Sequence, residues 1–335
     1  MPAAQDILRF LQGQLFQTPT LPRASFAGKT VVVTGGNTGL GFECAKQLVQ
    51  LDVDTLILGC RNVSKGKQVR SNLMKNAKKN TSIHVWQVDM ASFASVKSFA
   101  ERIRTELPRL DALVANAGIS TNEYLTAEAF EQTLTVNVVS TFLLSLLCLP
   151  SLRKTAVQDG SPTHLTVVGS LVHYFADHSQ LQQPAAGTVF KALSDEKQAD
   201  MASRYFLSKL IVLLCIQELA KHSPQGNLSG RPSVIINCPN PGWCKTGLFR
   251  QDDGGAFARN LLKLIGRTGE VGARTLTSAI AAGSESHGCY MSECRVKPAG
   301  VWVRSQEGQA VQKKIWNELV DTLEDISPGI GSVLS

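Results

Sequence analysis

The chain has 335 residues, of which 43% are apolar and 18% charged, with 27 Gly and 13 Pro. This composition excludes disorder, collagen-like repeats, coiled coils and disulfide scaffolds, and the length allows a large core. The 34 basic and 27 acidic residues leave a net charge of +7, but it is thinly spread, and the densest patch (Lys65, Lys67, Arg70, Lys75, Lys78, Lys79) reads as the solvated face of a helix, so nucleic acid is not an expected partner.

Residues 1–27 read as an N-terminal extension without the charged, apolar and cleavage regions of a signal peptide. Ile7, Leu8, Phe10, Leu11, Leu15 and Phe16 fit a short amphipathic helix that packs on the body, with a weak membrane-surface anchor as the alternative. Short β-branched runs follow at Thr30–Thr34, Thr55–Leu58, Ile83–Val88, Ala112–Ala115, His164–Val168, Val234–Asn237 and Val301–Val303. Helical stretches separate them at Leu40–Leu51, Lys65–Lys79, Ser92–Leu107, Ala127–Leu149, Met201–His222 and Val311–Leu323. The alternation predicts an α/β fold, a doubly wound parallel seven-stranded sheet of Rossmann type in a single domain. That domain is expected over 28–310, with a C-terminal helix and tail over 311–335. Thr133–Leu152 is uncharged, yet Asn137, its Ser and Thr residues and Pro150 mark a buried helix and not a transmembrane span.

Two segments break the alternation, a polar insertion at 171–203 and a stretch at 243–274 with Leu248, Phe249, Phe257, Leu261, Leu262, Leu264 and Ile265 among glycines. Both follow carboxyl ends of predicted strands, where such sheets bind ligands, and both are candidates for a substrate lid. The eight cysteines show no metal-ligand spacing and no CxxC pair, so free thiols in a reducing, cytoplasmic setting are expected, peripheral membrane association being left open. No metal site is predicted.

The first strand runs into Thr34-Gly35-Gly36-Asn37-Thr38-Gly39-Leu40-Gly41 and then a helix. Glycines in that position let the backbone turn tightly beside a pyrophosphate held at the helix N-terminus, which predicts dinucleotide binding. The second strand ends Leu58-Gly59-Cys60-Arg61, with no acid for a ribose 2′-hydroxyl; Arg61 suits a 2′-phosphate, with Lys65 one turn further, and this favours NADPH/NADP+. Asp89, Asn116-Ala117-Gly118, Asn137 and Ser170 follow in order. Tyr205 is the sole tyrosine with a lysine four residues on, so Tyr205 and Lys209 share a helix face.

This ordered set resembles the short-chain dehydrogenases/reductases over about residues 28–305. TGGNTGLG is similar to that family's TGxxxGxG turn and NAG at 116–118 to its strand-four motif, although Ala115 stands where a second Asn is usual. Ser170 with Tyr-Phe-Leu-Ser-Lys at 205–209 resembles the catalytic Ser and YxxxK, and Pro241-Gly242-Trp243-Cys244-Lys245-Thr246 the PGxxxT segment that contacts the nicotinamide. The 35 positions between Ser170 and Tyr205 exceed the short form of the family. That enlargement, with CRN at 60–62, is similar to the retinol-dehydrogenase-like branch; Ser286-His287-Gly288-Cys289-Tyr290 and the extension look most like reductases of fungal secondary metabolism.

The resemblance implies cofactor contacts from Gly35, Asn37, Thr38, Gly39, Leu40, Gly41, Arg61, Asp89, Asn116, Ala117, Gly118, Tyr205, Lys209, Pro241, Gly242 and Thr246. It implies that Tyr205 exchanges a proton with the substrate oxygen, that Ser170 holds that oxygen, that Lys209 bonds the nicotinamide ribose, and that Asn137 anchors a proton-relaying water. An ammonium beside a phenol favours phenolate, so Lys209 is expected to tune Tyr205. His173, Tyr174 and His178 stand near Ser170 in sequence and are weighed as pocket residues against ordinary loop roles. The apolar residues of 243–265 favour a bulky hydrophobic substrate, and NADPH-dependent carbonyl reduction is the leading function. A retinoid- or steroid-type dehydrogenase, a non-redox dehydration, epimerisation or cyclisation, and a nucleotide-sensing scaffold are the alternatives. The uncharged helix over 133–149 and the apolar face of 205–220 resemble helices through which family members form a homodimer, unless the extensions block them.

Overall fold

The computed structural model describes residues 2–222, 230–249 and 265–334. Helix α1 (Ala4–Phe16) precedes β1 (Thr30–Thr34), whose five residues are all buried because helices cover both faces of the sheet. Three further units follow: α2 (Gly39–Gln50) with β2 (Thr55–Cys60), α3 (Val63–Met74) with β3 (Ser82–Gln87), and α4 (Phe93–Glu106) with β4 (Ala112–Ala115). A small hairpin at Thr126–Glu131 then leads into a long apolar helix, α5 (Gln132–Asp159), and β5 (Thr163–Val167). Helix α6 (Met201–Lys221), β6 (Val234–Asn240), α7 (Gly269–Ala279), β7 (Cys289–Ser292), β8 (Arg295–Val296) and α8 (Gln306–Ile326) complete the described chain.

The sheet runs β8–β7–β6–β5–β4–β1–β2–β3, with only the short edge strand β8 antiparallel. The chain leaves β1 for β2 and β3, then returns to the other side of β1 with β4. Neighbouring connections therefore diverge beyond the carboxyl ends of β1 and β4 and open a crevice there. An apolar core lies on each face, one under α4, α5 and α6 and one under α2 and α7. α5 is long and apolar enough to cross a membrane, but most of it is buried in the first of these cores. All eight cysteines are free.

The seventh parallel strand is Cys289–Ser292 and not the expected Val301–Val303. The valines of 301–303 suit a strand, but that tripeptide lies in a turn. There the Gly300 N–H donates to His173 Nε2 (3.1 Å) and the Val301 N–H to Asp6 Oδ2 (3.0 Å), so neither joins a ladder. The 171–203 insertion forms a 3₁₀ turn (Leu171–Phe175) and two short helices, Ser179–Gln182 and Val189–Leu193. It is fastened to α8, where Glu318 accepts the N–H groups of Val189 and Phe190 and Lys314 donates to the Leu181 carbonyl. Of the expected 243–274 lid, Phe257, Leu261, Leu262 and Leu264 lie outside the described residues, and 269–274 belongs to α7, packed on α2. Helix α8 lies over α5 and α6, with Trp316 edge-on to Phe142 and Gln312 bonded to Glu218. It thus covers part of the surface for which a dimer contact was expected.

Candidate active site

The turn after β1 is built for close approach. Gly35 has φ +66, a conformation that L side chains rarely adopt, and its N–H donates to the Gly59 carbonyl at 2.7 Å. A Cβ on Gly41 would stand 2.6 Å from Asn116 Nδ2 and overlap the Gly35 carbonyl oxygen. Thr34 Oγ1 accepts the N–H groups of Asn116 and Ala117, both at 3.0 Å, and the Asn116 amide donates to the Thr34 carbonyl at 2.9 Å. The turn after β1 and the turn after β4 are therefore one bonded unit. Thr38, at the N-cap of α2, makes no side-chain cap bond, and the first turn of α2 carries no acidic residue. Its N–H groups are thus left for an anion at the cavity that Thr38, Gly39 and Leu40 line. This cradle fits the pyrophosphate of a dinucleotide.

Ser170 lies three residues past β5 and caps the 3₁₀ turn, its Oγ accepting the Val172 N–H at 3.3 Å. Tyr205 and Lys209 project from one face of α6, both 7% exposed. The Ser170 hydroxyl hydrogen-bonds Tyr205, and Lys209 Nζ donates to the Val168 carbonyl at 2.8 Å. Burial pushes the Lys209 ammonium down to about 8. Burial also raises the Tyr205 phenol well above its ordinary value, a rise that the bond to Ser170 opposes. Lys209 Nζ stands 5.8 Å from the Tyr205 ring centre.

Asn137 sits in a π turn (Thr135–Val139) within α5. Its amide clamps Ile119, accepting the N–H and donating to the carbonyl (each 2.9 Å), and donates to Ser208 Oγ at 3.0 Å. These bonds hold the turn after β4 against α6, next to Lys209.

One cavity of about 930 Å³ joins these parts. Gly35, Thr38, Gly39 and Leu40 border it at the glycine turn, Asn116, Ala117 and Gly118 beside them, and Ser170, Tyr205 and Lys209 along its floor. Pro241, Gly242 and Thr246 line it as well. Asn37, Gly41, Arg61, Asp89 and Asn137 do not. Gly41 and Asn137 act behind the wall, as above, while Asp89 Oδ1 accepts the Ala91 N–H at 3.0 Å. Arg61 is exposed just past β2 and makes no hydrogen bond or ion pair among the described residues.

Sequence reasoning missed two contributors. Buried Asn240 accepts the N–H groups of Leu171 (2.9 Å) and Gly242 (3.0 Å) and donates to Ser292, stapling the turn after Ser170 to the Pro241-Gly242 segment. Its position directly before Pro241-Gly242, at the end of a strand, was the available signal. Phe10 of α1 reaches the cavity from 195 positions before Tyr205, and no local pattern announces that. Most of the remaining wall is apolar, with Leu125, Val172, Phe175, Phe206 and Leu248, while Ser120, Thr121, Glu123 and Gln132 add a polar stretch.

His173 does not line this cavity. It is buried against Tyr174 and Tyr290, with Nδ1 2.7 Å from the Ser170 carbonyl and Nε2 accepting from Gly300. Tyr174 lines a smaller pocket, and His178 stacks on Trp302. Burial holds His173 neutral down to about 4. An unfolded histidine titrates near 6.5, so between these values the unfolded chain binds more protons and stability falls as pH is lowered. The loss from this group is expected to reach about 3 kcal/mol at pH 4. Urea unfolding at pH 7 and 4.5 should show a smaller drop for His173→Asn than for the parent; an equal drop would assign the acid sensitivity elsewhere.

The family model described as short chain dehydrogenase matches residues 29–173. The short-chain dehydrogenase anuD of Penicillium roqueforti is 40% identical over 337 aligned positions, covering 99% of this chain and 87% of that one. A short chain dehydrogenase/reductase of a Cryptosporiopsis species is 39% identical over 96% of this chain and 99% of its own. Among solved structures, the Pseudomonas aeruginosa RhlG/NADP active-site complex superposes with a TM-score of 0.58 at 21% identity, over 80% of this chain and 95% of that one. That likeness speaks to the fold, which is Rossmann-type, while the fungal relatives match nearly end to end. The chain belongs to the short-chain dehydrogenase/reductase family of oxidoreductases.

Proposed function

We propose that this protein is an NADPH-dependent reductase of a ketone or aldehyde on a bulky hydrophobic molecule, a secondary-metabolite intermediate in keeping with its fungal relatives, with alcohol oxidation as the reverse reaction. One observation carries the reading: Ser170, Tyr205 and Lys209 border the same cavity as the glycine turn, and most of the remaining wall of that cavity is apolar. We assign the catalytic unit to residues 28–310.

In this reading the first turn of α2 and the glycine backbone hold the pyrophosphate, and Lys209 and Thr246 the nicotinamide end. Bound there, the nicotinamide supplies hydride to the carbonyl carbon. Ser170 holds the carbonyl oxygen, and Tyr205 gives that oxygen its proton. A buried phenol that keeps its proton at neutral pH suits the reductive direction. Lys209, with an ammonium brought down to about 8, returns a proton toward Tyr205 more readily than an exposed lysine does. Asn137 acts as a positioning residue through Ile119 and Ser208.

Arg61 is the expected 2′-phosphate ligand. Calorimetric titration should give tighter binding of NADPH than of NADH by about tenfold or more. Arg61→Ala should weaken NADPH by about ten- to a hundredfold, the loss of one charged hydrogen-bonding partner, and leave NADH unchanged. Equal binding of the two nucleotides by the parent would remove the preference, and binding of neither would remove the hydride source. NADPH oxidation with a series of lipophilic ketones and aldehydes then tests the reaction itself.

A further inference from the structure

Helix α1 is fastened to the body through polar groups. Its buried residues are Asp6, Gly13 and Gln14. Asp6 accepts the Val301 N–H, Gln14 bonds the backbone of Trp243 and the Ile265 carbonyl, and Arg267 donates to the carbonyls of Gly13 and Gln17. Apart from Phe10, the large apolar side chains face outward: Leu8 is 66% exposed, Leu15 47% and Phe16 81%, with Ile7 at 38% and Leu11 at 39%. Ile7, Leu11 and Leu15 recur every fourth residue with Leu8 between them, so they form one stripe. Displaying an apolar stripe while burying the polar one is unfavourable unless an apolar phase covers it.

We infer that this stripe seats the protein on an anionic lipid surface. Size argues against a second copy. The 13-residue helix is about 20 Å long and its stripe about 10 Å wide, roughly 200 Å² against the ~800 Å² per partner of a stable interface. A bilayer sets no such minimum, since a few side chains inserted about 5–10 Å deep suffice. Charge favours acidic headgroups. Among the described residues at this helix, Asp6 is paired with Arg9 at 3.4 Å and Glu293, beside Gly13, with Arg267 at 3.1 Å. Lys297, bonded to Gln17 just past the helix, carries charge that these pairs leave uncompensated. Phe10 of the same helix lines the large cavity, so a lipid-seated α1 holds that cavity where lipophilic molecules partition. This last point alone rests on the proposed function.

The test is co-sedimentation of the full chain with phosphatidylcholine vesicles, with and without about a third phosphatidylserine. Binding should be about tenfold or more stronger to the anionic vesicles, and Leu8→Gln/Leu15→Gln should weaken it by about tenfold or more. Neither residue lines the cavity, so the thermal midpoint, NADPH binding and turnover of a water-soluble ketone should match the parent. Failure of the parent to sediment with either vesicle overturns the inference, as does equal sedimentation of the double variant. A dimer lost in the double variant, without vesicle binding by the parent, would assign the stripe to a second copy instead. NADPH binding is read separately, so failure of the lipid seat leaves the redox reading standing.

Discussion

Tyr205→Phe is expected to lower kcat by about 10²–10⁴, the usual contribution of a positioned general acid. NADPH binding should be almost unaffected, because the phenol oxygen is removed while the ring stays in place. Tyr205 has its hydroxyl against Ser170 and is buried at the cavity floor. No other tyrosine lines that cavity among the described residues, so no phenol is at hand to substitute. Stopped-flow measurement of NADPH oxidation separates the chemical step from binding. Undiminished turnover would remove Tyr205 as the acid while leaving the cofactor assignment in place.

Glu131→Gln is expected to cost stability, about 3–5 kcal/mol in denaturant unfolding. Glu131 and Arg204 are 0% and 1% exposed, with Arg204 Nε 3.6 Å from the carboxylate. Arg204 Nε and Nη1 have no hydrogen-bond partner among the described residues, so removing the counter-charge leaves a buried guanidinium without compensation. The same carboxylate accepts the N–H groups of Thr133 (2.6 Å) and Leu134 (3.2 Å) and so caps the helix that carries Asn137. Arg204 directly precedes Tyr205. The pair thus links the two helices behind the reacting groups, and kcat should fall along with stability. Adding Arg204→Leu should restore most of the stability, because it removes the uncompensated buried guanidinium while the new amide oxygen still accepts the Thr133 N–H. A single variant within about 0.5 kcal/mol of the parent would show that the guanidinium is compensated in another way.

Much of this was legible in the sequence because the information is local. The strands up to Val234 announce themselves as β-branched runs, since a strand buried on both faces has no polar side to show. The glycine turn needs its glycines whatever surrounds it: Gly35 for its positive φ and Gly41 for the approach of Asn116. Tyr205 and Lys209 share a face as soon as their segment is helical. The seventh strand was misplaced because Cys-Tyr-Met-Ser has little strand character by itself; it becomes a strand by pairing, Cys289 with Asn237 through Ser292 with Asn240. Val301–Val303 has the composition of a strand, but the Val301 N–H goes to Asp6 and the segment lies in a turn.

The sequence alone therefore determined the alternating α/β order, the glycine turn and the shared helix face of Tyr205 and Lys209, each a matter of residue type within a short span. Tertiary structure alone decided what lies between distant segments. It placed His173 under Ser170 instead of in the cavity, joined Leu171 to Gly242 through Asn240, brought Phe10 to the cavity wall and turned the apolar stripe of α1 outward. It also buried the Tyr205 phenol, which raises it above its ordinary value. Desolvation and side-chain pairing depend on which groups the fold brings together, and that is not written in the spacing of residues along one element.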